Sequence, residues 1–369
     1  MHILFAGGGT AGHINPALAV AGYIKEKHPD TKISYIGTAK KLEAKLVPEK
    51  GYDFYSIEVS GFQRSLTPVN IAKNVKAAVC AVTASMKARK LLKKLNPDIV
   101  VGTGGYVSGP VLSQAAKLGF KTAIHEQNAY PGMTNKMLCA NVDRVMLAMP
   151  EAEKRFKLNK KPDIVGNPVR PELTKITREE ARAKLGFDDK PVILSFGGSL
   201  GAEKINNSVV ELIKYHNQSG KYYHIHAAGK VNYEDMKAKL CDIQLGKNVD
   251  LREYIKDMDV CMAAADIVIC RAGAITLSEL AVCRKPSILI PSPYVAENHQ
   301  YHNAMTLKNV GAAEVIEEKE LNGEKLISTV ETLLNDDNKL KEMSKNAEKV
   351  AIDDANERIY KVLMALMNS

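Results

Sequence analysis

The sequence predicts an α/β protein made of two Rossmann-like, doubly wound domains that face each other across a cleft. Short apolar runs rich in β-branched residues alternate with longer segments of helical period, which is typical of βαβ units and a parallel sheet. The chain has 369 residues, more than one hydrophobic core usually fills. Both halves open with an apolar strand, a glycine cluster and a helix: "ILFAGGGTAGH" and "VILSFGGSLGA".

The first half alternates strands and helices from its second residue onward. Its predicted strands are Ile3–Ala6, Ile33–Ile36, Phe54–Val59, Asp98–Val101, Thr122–His125 and Arg144–Leu147. Helical periodicity is clearest over Pro16–Lys27 and Ile71–Lys94. Asn15 is a good N-cap and Pro16 suits a first helical turn, so we expect the first helix to begin there.

The alternation starts again after a proline-rich stretch, "KKPDIVGNPVRPEL", at residues 160–173. This stretch is the candidate linker, and it sets the expected domains at 1–163 and 164–344. The predicted strands of the second half are Val192–Phe196, Tyr223–Ala227, Ile267–Cys270 and Ser287–Ile290, and its clearest helices are Glu203–His216 and Ala274–Val282.

Composition limits the class of protein and its partners. Lys and Arg total 51 against 42 Asp and Glu, a formal charge of +9, which fits either an anionic partner or an ordinary basic solvated face. The six cysteines form no CxxC pair and predict reduced thiols in a cytosolic protein. No signal segment or long apolar run is apparent, so we expect neither secretion nor a membrane span. Nucleic acid is disfavoured, since aromatic residues are 6% and no zinc or helix-turn-helix module appears.

The glycine clusters predict phosphate binding. A glycine turn between strand and helix lets backbone N–H groups approach an anion at the positive end of the helix. Gly7, Gly9 and Gly12 also satisfy GxGxxG, but a dinucleotide site wants an acidic residue ending the second strand, which here ends in Gly37 and Thr38. The other alternative is a set of tight turns without a ligand. A third cluster, "VVGTGGYVSGP" at 100–110, favours a shared binding edge.

Several polar side chains follow these strands. His13 is a candidate general base, with a backbone-capping histidine as the alternative. "HEQN", residues 125–128, is expected to project His125, Glu126, Gln127 and Asn128 into the cleft. In the second half, the helix starting at Ala274 offers free N–H groups to a diphosphate, and Glu279 suits ribose hydroxyls or is a solvated carboxylate. Ser199 offers a hydroxyl to the same phosphates.

Two further features are an acidic pair and a long basic segment. Asp257 and Asp259 form a DxD, which we interpret as a capping or solvated pair, and no metal site is predicted. The segment 69–95 has an apolar face expected to pack on the sheet: Ile71, Val75, Val79, Val82 and Met86. The basic residues around that face suit an anionic membrane surface; they are Lys73, Lys76, Lys87, Arg89, Lys90, Lys93 and Lys94.

The motifs, taken in order, resemble one family over nearly the whole chain. They are "GGGTAGHINPALAVA", "GTGGYVSGP", "HEQN", "GNPVR", "GGSLGA", "RAGAITLSEL" and "HQYHNA". Their order and spacing are similar to those of the bacterial N-acetylglucosaminyltransferases that convert lipid I to lipid II in peptidoglycan synthesis. Two positions differ: the family pattern usually reads TGGH and GGSQGA, whereas this chain has Ala11 and Leu200.

The resemblance implies the two-domain architecture called GT-B. The first domain would face the membrane and the lipid-linked acceptor, and the second would bind UDP-N-acetylglucosamine (UDP-GlcNAc). A helix within about 345–369, "NERIYKVLMALM", would pack back on the first domain. The activity implied is inverting transfer of GlcNAc to the C4 hydroxyl of MurNAc in lipid I, without a cofactor. The enzyme would sit peripherally at the cytoplasmic face of the cell membrane; its oligomeric state stays open.

The resemblance also assigns residues by motif. His13 would lie beside the reacting hydroxyl, with Tyr106 and Glu126 nearby as further catalytic residues. The donor-contacting positions would be Thr10, Ala11, Gly12, Asn128, Arg170, Ser199, Ile255, Ala274, Ile275, Thr276, Leu277, Ser278, Glu279 and Gln300.

The sequence is also compatible with two other functions. A UDP-GlcNAc 2-epimerase on the same fold would share nucleotide recognition and need no lipid acceptor. A non-catalytic module that binds anionic lipid would use the basic segment 69–95 and have no use for Glu279 or Gln300.

Overall fold

The chain folds into two α/β units. A computed structural model describes residues 1–60, 67–198, 200–217 and 219–369, with side chains for all of these except residues 68, 69 and 71–76. One unit is Met1–Pro168 with Asp354–Ser369, and the other is Val169–Asp353. Each contains one parallel sheet, so the prediction of two doubly wound α/β domains is confirmed.

The first unit is built on a seven-stranded parallel sheet of order β3-β2-β1-β4-β5-β6-β7. Its strands are β1 (His2–Gly7), β2 (Lys32–Gly37), β3 (Asp53–Ser56), β4 (Ile99–Gly104), β5 (Lys121–Glu126), β6 (Arg144–Leu147) and β7 (Asp163–Ile164). The central strands are buried on both faces, as crossover connections require. The loops after β1, β4 and β5 therefore meet at one edge, where doubly wound folds bind ligands.

Helices cover both faces of this sheet. They are α1 (Ala11–Lys27), α2 (Glu43–Glu49), α3 (Pro68–Leu95), α4 (Ser108–Lys117), α5 (Met133–Leu138) and, from the chain end, α14 (Ala355–Met367). The terminal helix buries Ile359, Leu363 and Leu366 in the core beside α1. His28 Nε2 lies 2.8 Å from the Tyr360 hydroxyl, so polar contacts reinforce this packing.

The start of α1 differs from the prediction. The helix begins at Ala11 with Thr10 as its N-cap, so Asn15 and Pro16 lie inside it. The Thr10 carbonyl accepts from the N–H of Ile14 at 3.3 Å, which makes the first helical turn. Pro16 removes only the bond to Gly12, and Gly12 is exposed, so water reaches that carbonyl. His13 consequently stands in the first turn of the helix.

The buried face of α3 also differs from the prediction. The side chains of Val79, Val82 and Met86 are 60%, 62% and 68% exposed, so the expectation that they pack on the sheet is wrong. The buried positions are instead Ala77, Ala84, Ala88 and Leu92. Small side chains let a helix approach its neighbours closely, and this favours the alanine face. The side chains predicted at Ile71, Lys73, Val75 and Lys76 lie outside the described residues.

The second unit contains a six-stranded parallel sheet of order β10-β9-β8-β11-β12-β13. Its strands are β8 (Val192–Phe196), β9 (Tyr223–Ala227), β10 (Val249–Arg252), β11 (Ile267–Cys270), β12 (Ser287–Leu289) and β13 (Ala313–Val315). Its helices are α6 (Arg178–Leu185), α7 (Glu203–Asn217), α8 (Tyr233–Lys239), α9 (Met258–Ala264), α10 (Ala274–Val282), α11 (His299–Asn309), α12 (Gly323–Leu334) and α13 (Asp337–Glu348).

Among the described residues, no helix is both long enough and apolar enough to cross a membrane. All six cysteines are free thiols, and Cys139, Cys261 and Cys270 are buried.

Candidate active site

The glycine turn after β1 forms one end of the site in the first unit. Gly9 has φ +90° and nothing lies within 4 Å of a Cβ built on it, so backbone conformation rather than space requires glycine there. Ala11 is the first helical residue, so the alanine that departs from the family pattern avoids positive φ. Thr10, Ala11 and Gly12 are exposed at this turn, where helix N–H groups are available to a ligand.

His13 has one ring nitrogen committed to the protein. Its Nδ1 lies 3.1 Å from the Gly8 carbonyl oxygen and 3.3 Å from the Thr10 hydroxyl. Because a carbonyl oxygen only accepts, the closer contact requires a proton on Nδ1. The lone pair of the neutral ring is therefore at Nε2, where it can accept a proton from a substrate.

The loop after β4 packs against this histidine. A Cβ built on Gly104 would lie 2.7 Å from His13 Cδ2, and Gly104 has φ +106°. Ser108 Oγ donates to the Ala6 carbonyl at 2.7 Å and accepts from the Gly104 N–H at 3.1 Å. The Ser108 hydroxyl thus links the carboxyl ends of β1 and β4 by hydrogen bonds. Tyr106, on the same loop, is 63% exposed and is accessible to a substrate.

Glu126 is a buried, hydrogen-bond-saturated carboxylate. Its Oε1 accepts from the N–H and the side-chain amide of Asn128, both at 3.0 Å. Its Oε2 accepts from the Gly132 N–H at 3.0 Å and from Asn135 Nδ2 at 2.8 Å. These contacts organise the 126–135 loop, so the geometry suits a residue that shapes the site. Sequence reasoning missed Asn135, which has no motif signal of its own.

His125 and Gln127 do not project outward as expected. Both are 2% exposed. His125 Nε2 donates to the Gly166 carbonyl at 2.9 Å, and its Nδ1 accepts from Gln127 Nε2 at 3.1 Å. Burial lowers the pKa of His125, which keeps the ring neutral. The expectation that they enter a cleft is wrong, because both side chains are used in buried hydrogen bonds at the end of β5.

In the second unit, the site is built around the N-terminus of α10. Gly273 is its N-cap, and the first turn carries no acidic side chain, so the positive end of the helix dipole there favours an anion. Glu279 is 8% exposed and its Oε1 accepts from Arg170 Nε at 2.8 Å. The hydrogen bond and charge of Glu279 outweigh burial and raise the pKa of Arg170. The structure thus brings two predicted residues together.

The other residues predicted to contact the sugar-nucleotide donor are either polar or half-buried, or have buried apolar side chains. Gln300 Oε1 accepts from the Ser292 N–H at 2.9 Å, and Ser278 Oγ donates to the Ala274 carbonyl at 3.2 Å. Ile275 and Thr276 are half-buried on the same turns of α10. Leu277 and Ile255 have buried side chains, and the N–H of Leu277 donates to Gly273, so both groups of Leu277 are engaged within the protein. Ser199 lies outside the described residues.

The loops after β8 and β9 contact each other at the carboxyl edge of the second sheet, the edge at which α10 begins. A Cβ on Gly201 would lie 2.1 Å from the Ala228 carbonyl oxygen, and Gly201 has φ +85°. Asn232 Nδ2 donates to the Leu200 carbonyl at 3.2 Å. The Leu200 side chain is 69% exposed, so leucine at this position enters no core.

Asp257 and Glu43 are both hydrogen-bonded within the protein. Among the side chains that the structure describes, no group of three or more His, Cys, Asp and Glu is placed to hold a metal ion. Asp257 Oδ1 accepts from Arg252 Nη1 at 2.7 Å. The acidic residue nearest the end of β2, Glu43, is fully buried and bound to backbone amides, so it is closed to a ribose.

These features define a class. Two parallel-sheet α/β units, each with strand–glycine–helix turns at the carboxyl edge, characterise glycosyltransferases of GT-B architecture. A crystal structure of MurG from Acinetobacter baumannii superposes with TM-score 0.81 at 29% identity, covering 99% of both chains. A UDP-GlcNAc 2-epimerase from Neisseria meningitidis, bound to UDP-GlcNAc, has TM-score 0.67 at 14% identity over 99% of this chain and 100% of that chain, which shows the fold alone.

Sequence comparison identifies the family. The glycosyltransferase family 28 N-terminal domain matches residues 3–147 and the family 28 C-terminal domain matches residues 192–359. A relative from Acetivibrio thermocellus is 48% identical over 100% of this chain and 99% of its own. One from Ruminiclostridium cellulolyticum is 44% identical over 100% of both chains. Both are named UDP-N-acetylglucosamine--N-acetylmuramyl-(pentapeptide) pyrophosphoryl-undecaprenol N-acetylglucosamine transferase. The chain therefore belongs to glycosyltransferase family 28.

Proposed function

We propose that this chain transfers GlcNAc from UDP-GlcNAc to the C4 hydroxyl of MurNAc in undecaprenyl-pyrophosphoryl-MurNAc-pentapeptide, forming lipid II for peptidoglycan. The observation that carries the proposal is the full-length match to relatives with this transferase name. The chain is an N-acetylglucosaminyltransferase, with UDP-GlcNAc as donor and the undecaprenyl-linked sugar as acceptor. Its product is a β-1,4 disaccharide formed with inversion of the α-linked donor.

The second unit is the proposed donor site. The positive N-terminal end of α10 holds the diphosphate, and Glu279 accepts hydrogen bonds from ribose hydroxyls. Arg170 orients Glu279 through the 2.8 Å contact. When the bond between the anomeric carbon and the phosphate oxygen breaks, UDP leaves with added negative charge. Helix amides already directed at the diphosphate stabilise that charge without reorganisation.

The first unit is the proposed acceptor site, with His13 as general base. Its Nε2 takes the proton from the C4 hydroxyl as that oxygen bonds to the anomeric carbon. The other ring proton stays on Nδ1 and is donated in a hydrogen bond to the Gly8 carbonyl oxygen, so the imidazolium that forms is stabilised on that side. Glu126 shapes the neighbouring loop and Tyr106 contacts substrate from the β4 loop.

Peripheral membrane association is proposed for the α3 surface, which we define as Val79, Val82, Met86, Lys90 and Lys93. Their spacings of three and four place them on one helical face. The apolar members are 60–68% exposed and the lysines are exposed. An exposed apolar patch beside cationic side chains suits the cytoplasmic face of a membrane, where lipids are anionic.

The test is a transferase assay with labelled UDP-GlcNAc, with and without a lipid I analogue. We expect UDP and a labelled disaccharide only when the acceptor is present. His13→Ala should lower turnover by about 10²- to 10⁴-fold, the usual contribution of a general base, while UDP affinity stays near that of the wild type. Unchanged turnover in this variant would remove His13 from the mechanism.

The same assay separates the other functions. A 2-epimerase would convert the sugar nucleotide without acceptor, and a non-catalytic lipid-binding module would release no UDP and bind none. The epimerase likeness is one of fold only, and no residue contact described above favours it.

A further inference from the structure

Glu43 is a buried carboxylate that the mechanism above does not use. It is the first residue of α2 and is 0% exposed. Its Oε1 accepts from the Thr38 N–H at 3.0 Å and the Thr38 hydroxyl at 2.6 Å. Its Oε2 accepts from the Gly9 N–H at 3.2 Å. Burying a carboxylate is costly unless hydrogen bonds compensate it. We therefore looked to these hydrogen bonds with the glycine turn for the function of Glu43.

Glycines at two strand ends make room for this carboxylate. A Cβ built on Gly8 would lie 2.2 Å from Glu43 Oε1, and one built on Gly37 would lie 2.5 Å from Glu43 Cγ. Any larger side chain at either position would displace the carboxylate. The glycines of the first loop therefore admit an acidic group from within the protein as well as a ligand from outside.

A single peptide group separates Glu43 from His13. The N–H of Gly9, which Glu43 holds, and the C=O of Gly8, which His13 Nδ1 contacts at 3.1 Å, belong to the same peptide bond. In a trans peptide these two groups point in opposite directions, so one plane can serve both contacts at once. A Cβ on Gly105 would lie 2.3 Å from the Gly8 oxygen, so the β4 loop covers this peptide closely.

We infer that Glu43 is a positioning residue for the transfer reaction, acting through the Gly8–Gly9 peptide group to hold His13 with its proton on Nδ1 and its lone pair at Nε2. The inference rests on the proposed function, because it takes His13 as the base. It extends that function by assigning a carboxylate–peptide–histidine relay. Carboxylate–histidine pairs orient the base directly in hydrolase triads; here an amide lies between the two groups.

The charge of Glu43 matters as well as its position. An N–H that donates to a carboxylate makes a charge-assisted bond, and bonds in a chain polarise one another. The Gly8 oxygen is therefore a stronger acceptor for the Nδ1 proton. That gain is largest when Nε2 has taken the substrate proton and the ring is cationic, so the relay acts on turnover more than on substrate binding.

The experiment uses Glu43→Gln in the full-length enzyme, which removes the charge and nearly preserves the volume. Glu49→Gln is the matched control, since Glu49 is exposed on the same helix. We measure kcat and the KM for UDP-GlcNAc and a lipid I analogue, alone and in the His13→Ala background, together with melting temperatures. Nitrogen-15 NMR of the His13 ring in the wild type, assigned with His13→Ala, reports the tautomer.

We expect Glu43→Gln to lower kcat about tenfold, the scale of a hydrogen bond to a charged group, with little change in either KM. In the His13→Ala background it should have no further effect, and wild-type His13 should carry its proton on Nδ1. The relay alone would be overturned if Glu43→Gln had a normal kcat or changed only KM. It would also be overturned if the kcat losses of Glu43→Gln and His13→Ala multiplied in the double variant. An active His13→Ala enzyme would overturn the base assignment and the relay together. If Glu43→Gln does not fold, the wild-type tautomer decides, and a proton on Nε2 contradicts the inference.

Discussion

Glycine is required at some positions of the first-unit site and dispensable at others. Gly9 and Gly104 have φ of +90° and +106°, where side chains are strained. Residue 11 is helical, so the alanine that departs from TGGH is compatible with the turn. The sequence raised this question but could not answer it, because the helix start was expected at Pro16. Backbone conformation, and not the number of glycines in the motif, decides which substitution is tolerated.

A pair of substitutions tests this distinction. Gly104→Ala should lower kcat at least about 100-fold, since a 1 Å displacement of a catalytic group costs that much and the new Cβ would lie 2.7 Å from His13. Ala11→Gly should keep wild-type kcat and lose about 0.5–1 kcal/mol of stability, as glycine does in helices. Steady-state kinetics and urea unfolding measure both effects. A fully active Gly104→Ala enzyme would show that the ring does not need this space.

Motifs predict residues that touch ligands better than residues that support them. His13 and Glu279 stand in recognisable patterns and were named from the sequence. Glu43 was not, because its partner Gly9 is 34 positions away and contributes a backbone amide. A signal existed in the glycine that ends β2, Gly37, which lies against Glu43, but a lone glycine does not reveal what fills the space it leaves.

At the level of elements, periodicity located helices more securely than it oriented them. The segment predicted over Ile71–Lys94 is the helix Pro68–Leu95, yet the alanine stripe is buried and the valine–methionine stripe is exposed. A hydropathy pattern favours the larger side chains for the core. In the structure the helix instead packs through Ala84 and Ala88, whose small side chains let its backbone come close to its neighbours. Val82 and Met86 are left 62% and 68% exposed.

The exposed stripe carries a prediction about membranes. Val82→Asp and Met86→Asp should each weaken binding to vesicles that contain anionic lipid, because each removes apolar contact and adds like charge near the headgroups. Both side chains are exposed, so stability should change by no more than about 0.5 kcal/mol. Vesicle co-sedimentation measures binding. Tyr215→Asp is the control, since Tyr215 is 53% exposed in the second unit; equal losses in all three variants would contradict a role for the α3 surface.

For the whole molecule, strand–helix alternation was sufficient to predict two α/β units and most of their strands. Arg144–Leu147, Val192–Phe196, Tyr223–Ala227 and Ile267–Cys270 match the observed strands residue for residue. The strands that were missed, β7, β10 and β13, each lie at the edge of a sheet. An edge strand has a neighbour on one side only, so its residues need not be as apolar as those of a central strand and its hydropathy pattern is weaker.

A chain of buried side chains crosses the second unit. Asn206 Nδ2 donates to the Ala228 carbonyl at 2.9 Å, so its Oδ1 faces His226 Nε2, at 3.2 Å, as an acceptor. Ser195 then donates to His226 Nδ1 at 2.6 Å and accepts from His224 Nε2 at 2.7 Å. His216 Nε2 donates to His224 Nδ1 at 3.0 Å. His226 and His224 each use Nδ1 as an acceptor, so that nitrogen is unprotonated and both rings are neutral. His216 donates through Nε2 and is neutral as well, because its Nδ1 is unprotonated.

This chain predicts how stability depends on pH. Burial lowers the pKa of His216 to about 4 and that of His226 to about 3. Burial and the neighbouring histidines His216 and His226 also lower the pKa of His224 well below its usual value. An unfolded histidine titrates near 6.5. As pH falls from 7 to 5, the unfolded chain takes up protons that the folded one does not, so the free energy of unfolding must fall. Each buried histidine contributes up to about 1.4 kcal/mol per pH unit in that window.

Urea unfolding followed by circular dichroism between pH 7 and 5 measures this slope. His216→Phe should reduce the slope whatever it does to absolute stability, because one fewer proton distinguishes the two states. His28→Gln is the matched control for replacing a histidine at an exposed position. Above pH 7 both states hold these rings neutral, so the contribution is fully present and the slope from histidine vanishes. Stability that rises on acidification, or a slope insensitive to His216→Phe, would show that the buried chain is not neutral as its hydrogen bonds require.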